Sequence, residues 1–324
     1  MGDQGMTGSP VLVVGDSMLD CYWQGRVDRI SPEAPVPVLC FEREWLHAGG
    51  AANVAANLVA LGGTATLATL LGEDDAAQQL STLVEEAGVR LRAVHSADMV
   101  TTKKIRAVCS HHQLLRVDIE RPASEDDART LCELVCGLLP THRWVVLSDY
   151  HKGALSHCPN MIDHARRQDC LVMVDPKGTN FERYRGAWLL KPNEKEAAAV
   201  VGAWADEAAF IRAMVQLREH LALEHLLVTR SERGISLFSA HRQPLHMPTA
   251  AREVFDVSGA GDTVLAALAC SLSGGQTLQD AVHHANVAAG LAVAKFGTAT
   301  VTSTEVQEVR GKHDARHQTP AMAG

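Results

Sequence analysis

Short apolar runs alternate with amphipathic segments along most of the chain, and this rhythm restricts the fold more than any other feature. The runs VLVVGD (11–16), WVVLSDY (144–150), CLVMVDP (170–176), AWLLKPN (187–193) and HLLVTRS (225–231) are apolar at successive positions rather than alternate ones. Strands of that kind need cover on both faces, as in a parallel sheet with helices above and below. Helical periodicity falls at about 51–61, 74–87, 124–138, 157–168, 194–201, 206–222, 260–273 and 277–294, and Thr277 with Asp280 reads as a capping box. The expectation is an α/β fold on a doubly wound, mostly parallel sheet. Ligands gather beyond the carboxyl ends of such strands. Asp16, Asp149, Asp175, Asn193 and Thr229 stand at those ends. Each alone would pass for a helix cap or a turn former; five together point to a shared crevice.

Two stretches interrupt the rhythm. Residues 20–46 carry Pro32, Pro35 and Pro37, which exclude helix. Residues 93–120 show partial alternation with β-branched residues, as in antiparallel strands with one exposed face. Both are expected to be insertions into a domain over 10–310, pairing as a small β-sheet lid. So small a sheet needs a partner surface, so a homodimer through the lid is expected. The polar tail over 311–324 is expected to be disordered.

The chain has 324 residues, a length that suits one large domain with an insertion. A net charge of -8 argues against nucleic acid or an anionic membrane as the main partner. MGDQGMTGSPVLVVGD has no basic start and a short apolar run, so neither a signal peptide nor a membrane span is expected. The 8 cysteines are scattered without Cys-x-x-Cys, which fits a reducing cytoplasm. Cys132 and Cys136 lie four apart, and His111–His112 and His283–His284 are adjacent pairs. Adjacent side chains diverge in regular structure, so buried thiols are expected here rather than a metal site.

The segment DVSGAGDTVLAAL (256–268) holds the chemistry. Gly259 and Gly261 let backbone amides approach a ligand, and the helix that follows adds its positive end. Together they make an anion hole. Asp262 falls in the first helical turn, where a carboxylate can take a proton from an attacking hydroxyl while the amides hold a transferring phosphoryl group. A lone Gly-x-Gly-Asp would equally fit an Asp that only complements the helix dipole. A P-loop NTPase is excluded, because Gly-x-x-x-x-Gly-Lys-Ser/Thr is missing.

DVSGAGDT resembles the C-terminal signature of the ribokinase-like (PfkB) sugar kinases, and HAGGAANVAANLVALGG (47–63) resembles their N-terminal one. The resemblance runs over about residues 10–305. It implies ATP and Mg²⁺ as cofactors, Asp262 as catalytic base, and Gly259, Ala260 and Gly261 as the anion hole. On the sugar side it implies Asn53, against a helix-side hydrogen bond; Gly49 and Gly50 allow close ligand approach, and Asp16 and Asp20, just past a strand, could accept sugar hydroxyls, with a metal pair as the alternative. Asp149 with Lys152, and Asp175 with Lys177, are either surface pairs of little energetic consequence or groups that steer phosphates. Asn193 and Glu196 match the family's Asn-x-x-Glu element, which is implicated in holding Mg²⁺ largely through water. Thr229, Ser231 and Gly234 occupy its Thr-x-Gly-x-x-Gly turn, with Ser231 replacing the first Gly. Asn286 is a candidate neighbour of the adenine, or a capping Asn. A monovalent cation such as K⁺ near Asp256 and the 297–302 loop is also implied.

GDSMLDCYWQG, RISPEAPVPVL, TTKKIRAV with HHQLLRVDIE, and PLHMPTAAREVFDVSGAGDT resemble heptose 7-phosphate kinases of lipopolysaccharide-core biosynthesis. The implied reaction phosphorylates O1 of D-glycero-β-D-manno-heptose 7-phosphate. Many such kinases are fused to a nucleotidyltransferase domain with His-x-Gly-His; that motif is missing here, so a stand-alone kinase is expected. Lys104, Arg106 and Arg116 on the lid strands are candidates for the sugar phosphate, against a solvated lid face, and at least one of Arg106, Arg116 and Lys177 is expected to contact it. Other sugar kinases (ribose, fructose, fructose phosphate) and a non-catalytic sugar- or nucleotide-binding regulator are the competing readings.

Overall fold

The computed structural model describes residues 8–110, 112–251 and 254–309. In the first half the order is β1 (Val11–Gly15), β2 (Ser17–Ile30), β3 (Pro37–Gly50), α1 (Ala51–Ala60), β4 (Ala65–Gly72), α2 (Asp75–Glu86) and β5 (Arg90–Ser96). There follow β6 (Val100–Cys109), β7 (His112–Arg121), α3 (Glu125–Leu138), β8 (Trp144–Ser148), α4 (Cys158–Arg167) and β9 (Leu171–Asp175). The remainder is β10 (Leu189–Leu190), α5 (Glu194–Val201), α6 (Glu207–His220), β11 (His225–Thr229), β12 (Ile235–Ser239), β13 (Leu245–Met247), α7 (Ala260–Ser273) and α8 (Leu278–Ala292).

The large sheet runs β13-β12-β11-β10-β9-β8-β1-β4-β5. It is parallel from β11 to β5, and β12 and β13 add an antiparallel edge. β1 shows why its sequence is apolar at every position. Val11 and Val13 pack into the core shared with α1, α7 and α8, while Leu12 and Val14 pack into the core shared with α3, α4 and α6. The doubly wound expectation is thus met. Strands β4, β5, β12 and β13 are additional to the five apolar runs read from the sequence.

β2 leaves the large sheet directly after β1. The turn requires Gly15, because a Cβ there would lie 2.0 Å from the Ser148 carbonyl oxygen. The second sheet runs β3-β2-β6-β7, with β2 and β3 antiparallel, β2 and β6 parallel, and β6 and β7 antiparallel. It is the expected small sheet with different limits: 17–50 rather than 20–46, and 100–121 rather than 93–120. Residues 93–96 belong to β5 at the edge of the large sheet, where Ala93 pairs with Thr69. Their alternating pattern reflects an edge strand with one covered face. The tail over 311–324 and His111 lie outside the described residues.

Candidate active site

The site is built where α7 begins. Gly259 caps the helix in the left-handed conformation, φ 75°. A Cβ there would sit 2.9 Å from Asn53 Nδ2. First-turn amides have no acceptor within their own helix. The Ala260 N–H turns back to the Val257 carbonyl at 3.3 Å, which leaves the first-turn amides of Gly261 and Asp262 without a backbone acceptor among the described residues. A buried ammonium lies next to them. Lys191 is 3% exposed and pairs with Asp175 Oδ1 at 3.0 Å. Its Nζ would be 3.3 Å from a Cβ on Gly261.

Asp262 is 2% exposed. Its Oδ2 accepts from Asn53 Nδ2 at 2.8 Å, and its Oδ1 from the Tyr150 hydroxyl at 2.7 Å. Burial pushes its pKa up to about 7; the Asp175 charge raises it too, while Asn53, Tyr150 and Lys191 work against the rise. A carboxylate poised near neutral pH in a crevice is suited to proton abstraction.

The small sheet closes one side of this crevice. Asp20 on β2 accepts from Arg106 Nη1 at 2.6 Å and faces Thr298 Oγ1 at 3.4 Å. Gly49 lets this carboxylate approach, because a Cβ there would be 2.6 Å from Asp20 Oδ2. Arg106 lies over the Tyr22 ring at 5.1 Å, and Tyr22 packs on Phe296 with ring centroids 5.3 Å apart. In the β6–β7 register Arg106 lies opposite Arg116, and Lys104 opposite Asp118. One face therefore gathers three cations. Asp118 bridges Lys104 at 3.1 Å and Arg116 at 2.9 Å.

On the other side, a cleft of about 580 Å³ is lined by Thr229, Ser231, Gly234, Asn286, Ala260 and Gly261 among others. Asn193 caps α5 by accepting from the Glu196 N–H at 2.9 Å, and Glu196 Oε2 accepts from the Asn193 N–H at 2.9 Å. The other Glu196 oxygen faces Lys177 Nζ at 3.5 Å. Among the described residues no group of three His, Cys, Asp or Glu side chains could hold a metal ion by itself.

A family model for pfkB family carbohydrate kinases matches residues 9–305. The chain belongs to this family. It is 47% identical over 308 residues to the bifunctional protein HldE of Aliivibrio fischeri (strain MJ11), covering 95% of this chain and 65% of that one. It is 49% identical over 299 residues to the bifunctional protein HldE of Azotobacter vinelandii (strain DJ / ATCC BAA-1303), covering 92% and 63%. The chain thus spans less than two thirds of the length of these relatives. The structure of phosphofructokinase-2 from Escherichia coli with substrates and products superposes with a TM-score of 0.81 at 21% identity, covering 94% of this chain and 99% of that chain. Ribokinase from Arabidopsis thaliana with ribose and ATP gives 0.71 at 21% identity, covering 94% and 98%. These two likenesses establish the fold. Among the described residues no helix is long and apolar enough to cross a membrane.

In this family member the expected residues separate into three groups. Asn53 meets Asp262 and Gly49 lies against Asp20, while Gly50 lies against the Asp16 carbonyl; Thr229, Ser231, Gly234 and Asn286 line one cleft. Several others reach the crevice by backbone but turn their side chains elsewhere. Asp16 accepts from the amides of Tyr150 at 2.8 Å, Lys152 at 3.0 Å and Ala154 at 3.0 Å. Its carboxylate therefore anchors a loop instead of standing open to sugar hydroxyls. Asp149 is turned toward the core beneath the sheet, where it accepts from the Tyr184 hydroxyl at 2.7 Å and pairs with Arg183 at 3.4 Å. Lys152 pairs with Glu120 on β7 at 2.6 Å. Lys177 stands beside Glu196, away from the lid cations. Asn53 engages the Asp262 carboxylate before any sugar does. Asn286 donates to the Pro248 carbonyl at 2.7 Å. Asp256 ties its loop to Gly297, accepting that N–H at 3.0 Å. Sequence reasoning missed Tyr150 and Lys191 as parts of the site, although the runs WVVLSDY and AWLLKPN contain them.

Ser231 sits at φ 50°, a left-handed conformation that costs a side chain roughly 1 kcal/mol. The Ser231→Gly variant is expected to gain up to about 1 kcal/mol in urea unfolding, reduced by the greater backbone entropy of glycine. A loss of stability would show that the serine hydroxyl compensates the strain.

Proposed function

We propose that this chain transfers the γ-phosphoryl group of ATP to O1 of D-glycero-β-D-manno-heptose 7-phosphate, giving the 1,7-bisphosphate. The observation that carries this reading is the cation face of Lys104, Arg106 and Arg116 beside Asp20, on the sugar side of Asp262. The three cations outnumber their carboxylate partners Asp20 and Asp118, which leaves positive charge on this face for a phosphosugar. The choice of heptose rests on the lid and substrate-half segments that resemble heptose 7-phosphate kinases, together with 47–49% identity to proteins named HldE.

Asp262 takes the proton of the attacking hydroxyl. The free amides of Gly261 and Asp262, with Lys191, balance charge on the transferring group. The cleft lined by Thr229, Ser231, Gly234 and Asn286 fits ATP in size, and its phosphate end opens on those amides. Asp175 and Glu196 are the carboxylates positioned to hold Mg²⁺, directly or through water, and Asn193 fixes Glu196. Mg²⁺, when bound, neutralises charge on the nucleotide phosphates.

The outer face of the small sheet exposes Phe41, Leu115, Val117 and Ile119 at 60%, 60%, 41% and 45%. That apolar surface supports a homodimer formed through this sheet; a monomer by light scattering at working concentration would refute it.

An ADP-release assay over ribose, fructose, fructose 6-phosphate and the heptose 7-phosphate tests the substrate. Turnover is expected to favour the heptose phosphate. Arg106→Ala and Arg116→Ala are expected to raise its KM by roughly tenfold or more, the scale of a lost charge-assisted hydrogen bond. Unchanged KM in both, or preference for another sugar, would overturn this assignment.

A further inference from the structure

Tyr150 has no part in the reaction as described so far, yet its hydroxyl is 2.7 Å from Asp262 Oδ1. The loop that carries it is rigidly seated. Asp16, at the end of β1, accepts the backbone N–H groups of Tyr150, Lys152 and Ala154. The second Asp262 oxygen is fixed from α1 by a separate chain of bonds. Asn53 donates to it, Asn57 Nδ2 donates to Asn53 Oδ1 at 2.9 Å, and Asn57 Oδ1 accepts from the Val301 N–H at 3.1 Å. Two unrelated elements therefore hold the two oxygens, which fixes the plane of the carboxylate. Each oxygen keeps a lone pair for a substrate hydroxyl.

We propose that Tyr150 is a positioning residue for Asp262: from the loop anchored by Asp16, its hydroxyl orients the carboxylate and supports its ionised form. This rests on the reading of Asp262 as the base. Burial holds the Tyr150 hydroxyl well above the usual phenol range, so it remains a donor at every working pH. The groups facing Asp262 are Asn53 from α1, Tyr150 from the loop after β8, Asp175 from β9 and Lys191 from beyond β10, with Asp20 of β2 acting on Tyr150. Lys191 and the two neutral donors favour the anion, against burial and Asp175. Removing the Tyr150 hydroxyl takes away one of these donors, so the carboxylate should ionise at higher pH.

The test is the pH profile of kcat/KM for the full chain with ATP and the preferred sugar of the panel, in wild type, Tyr150→Phe and Asp262→Asn. Wild type should show an acid limb near the pKa of about 7 set by burial of Asp262. Tyr150→Phe should move that limb upward by about half a pH unit or more, with activity recovering to within about threefold of wild type at high pH and KM unchanged. An unmoved limb, or an equal loss at every pH, would overturn the proposal. Should the Phe variant not fold, wild type made with 3-fluorotyrosine keeps every hydroxyl as a stronger donor. Its acid limb should then move downward, and no movement would count against Tyr150. Asp262→Asn separates the two ideas. Retained turnover in that variant refutes the base itself, whereas an inactive Asp262→Asn with an unmoved Tyr150→Phe limb refutes the positioning role alone.

Discussion

Asp262→Asn is expected to lose turnover by roughly 10²–10⁴ while gaining stability above neutral pH. The first effect follows from removing the proton acceptor. An amide has no basic lone pair at working pH, but it preserves the shape of the site, so ATP affinity should hold. The second effect follows from burial. The native carboxyl, raised to about 7 from 3.8, keeps a proton that the unfolded chain has already released. Native stability therefore falls as pH rises from about 4 through 7. A rise of about three units corresponds to about 4 kcal/mol at pH well above 7. The amide avoids that cost but loses one of two acceptor oxygens for Asn53 and Tyr150, about 1–2 kcal/mol. A net gain of about 2 kcal/mol is expected in urea unfolding at about pH 8.5, shrinking or reversing at about pH 5. Near-normal kcat would remove Asp262 from the chemistry, and a pH-independent stability difference would show that its charge is not the source of the cost.

Lys191→Met is expected to damage both fold and turnover. Lys191 is paired with Asp175 at 3.0 Å, and their side chains are 3% and 15% exposed. Removing one partner of a buried pair leaves the other charge uncompensated, at a cost of about 3–5 kcal/mol for full burial and less here, where Asp175 keeps some solvent. Burial already raises the Asp175 pKa, and Lys191 is the main group lowering it. In the variant Asp175 should take up its proton at higher pH still, so the destabilisation should be worst at alkaline pH and ease as pH falls. Adding Asp175→Asn to Lys191→Met should recover much of the stability. It should not recover kcat, because the ammonium beside Gly261 is still lost and the Asp175 carboxylate proposed to hold Mg²⁺ is lost as well. A double variant no more stable than the single one would show that the charge pair is not what Lys191 contributes.

The architecture and one half of the chemistry were legible along the chain. Runs apolar on both parities announced strands buried on two faces, and β1 meets two different cores for that reason. Gly259, Gly261 and Asp262 pointed to the left-handed cap and the acid in the first turn that the structure shows, because neighbouring residues make both; the anion hole is the reading proposed for them. Of the five polar run endings, Asp175 and Asn193 lie near Lys191 and Glu196, whereas the Asp16 and Asp149 side chains turn away. Ser231 was recognised as a non-glycine in a glycine place, and its positive φ agrees.

Side-chain direction and long-range pairing were another matter. Asp16 and Asp149 end their strands as expected, but one turns to a loop's amides and the other to Tyr184. The sequence pattern placed their backbones and was silent on their partners. Asn53 and Tyr150 reach Asp262 across 209 and 112 residues of chain, and Lys191 reaches the amides from a third element. Periodicity and turn chemistry act over a few residues. The hydrogen bonds that orient Asp262 form only after the sheet has wound and its helices have docked, because only then do these distant groups share one dry volume.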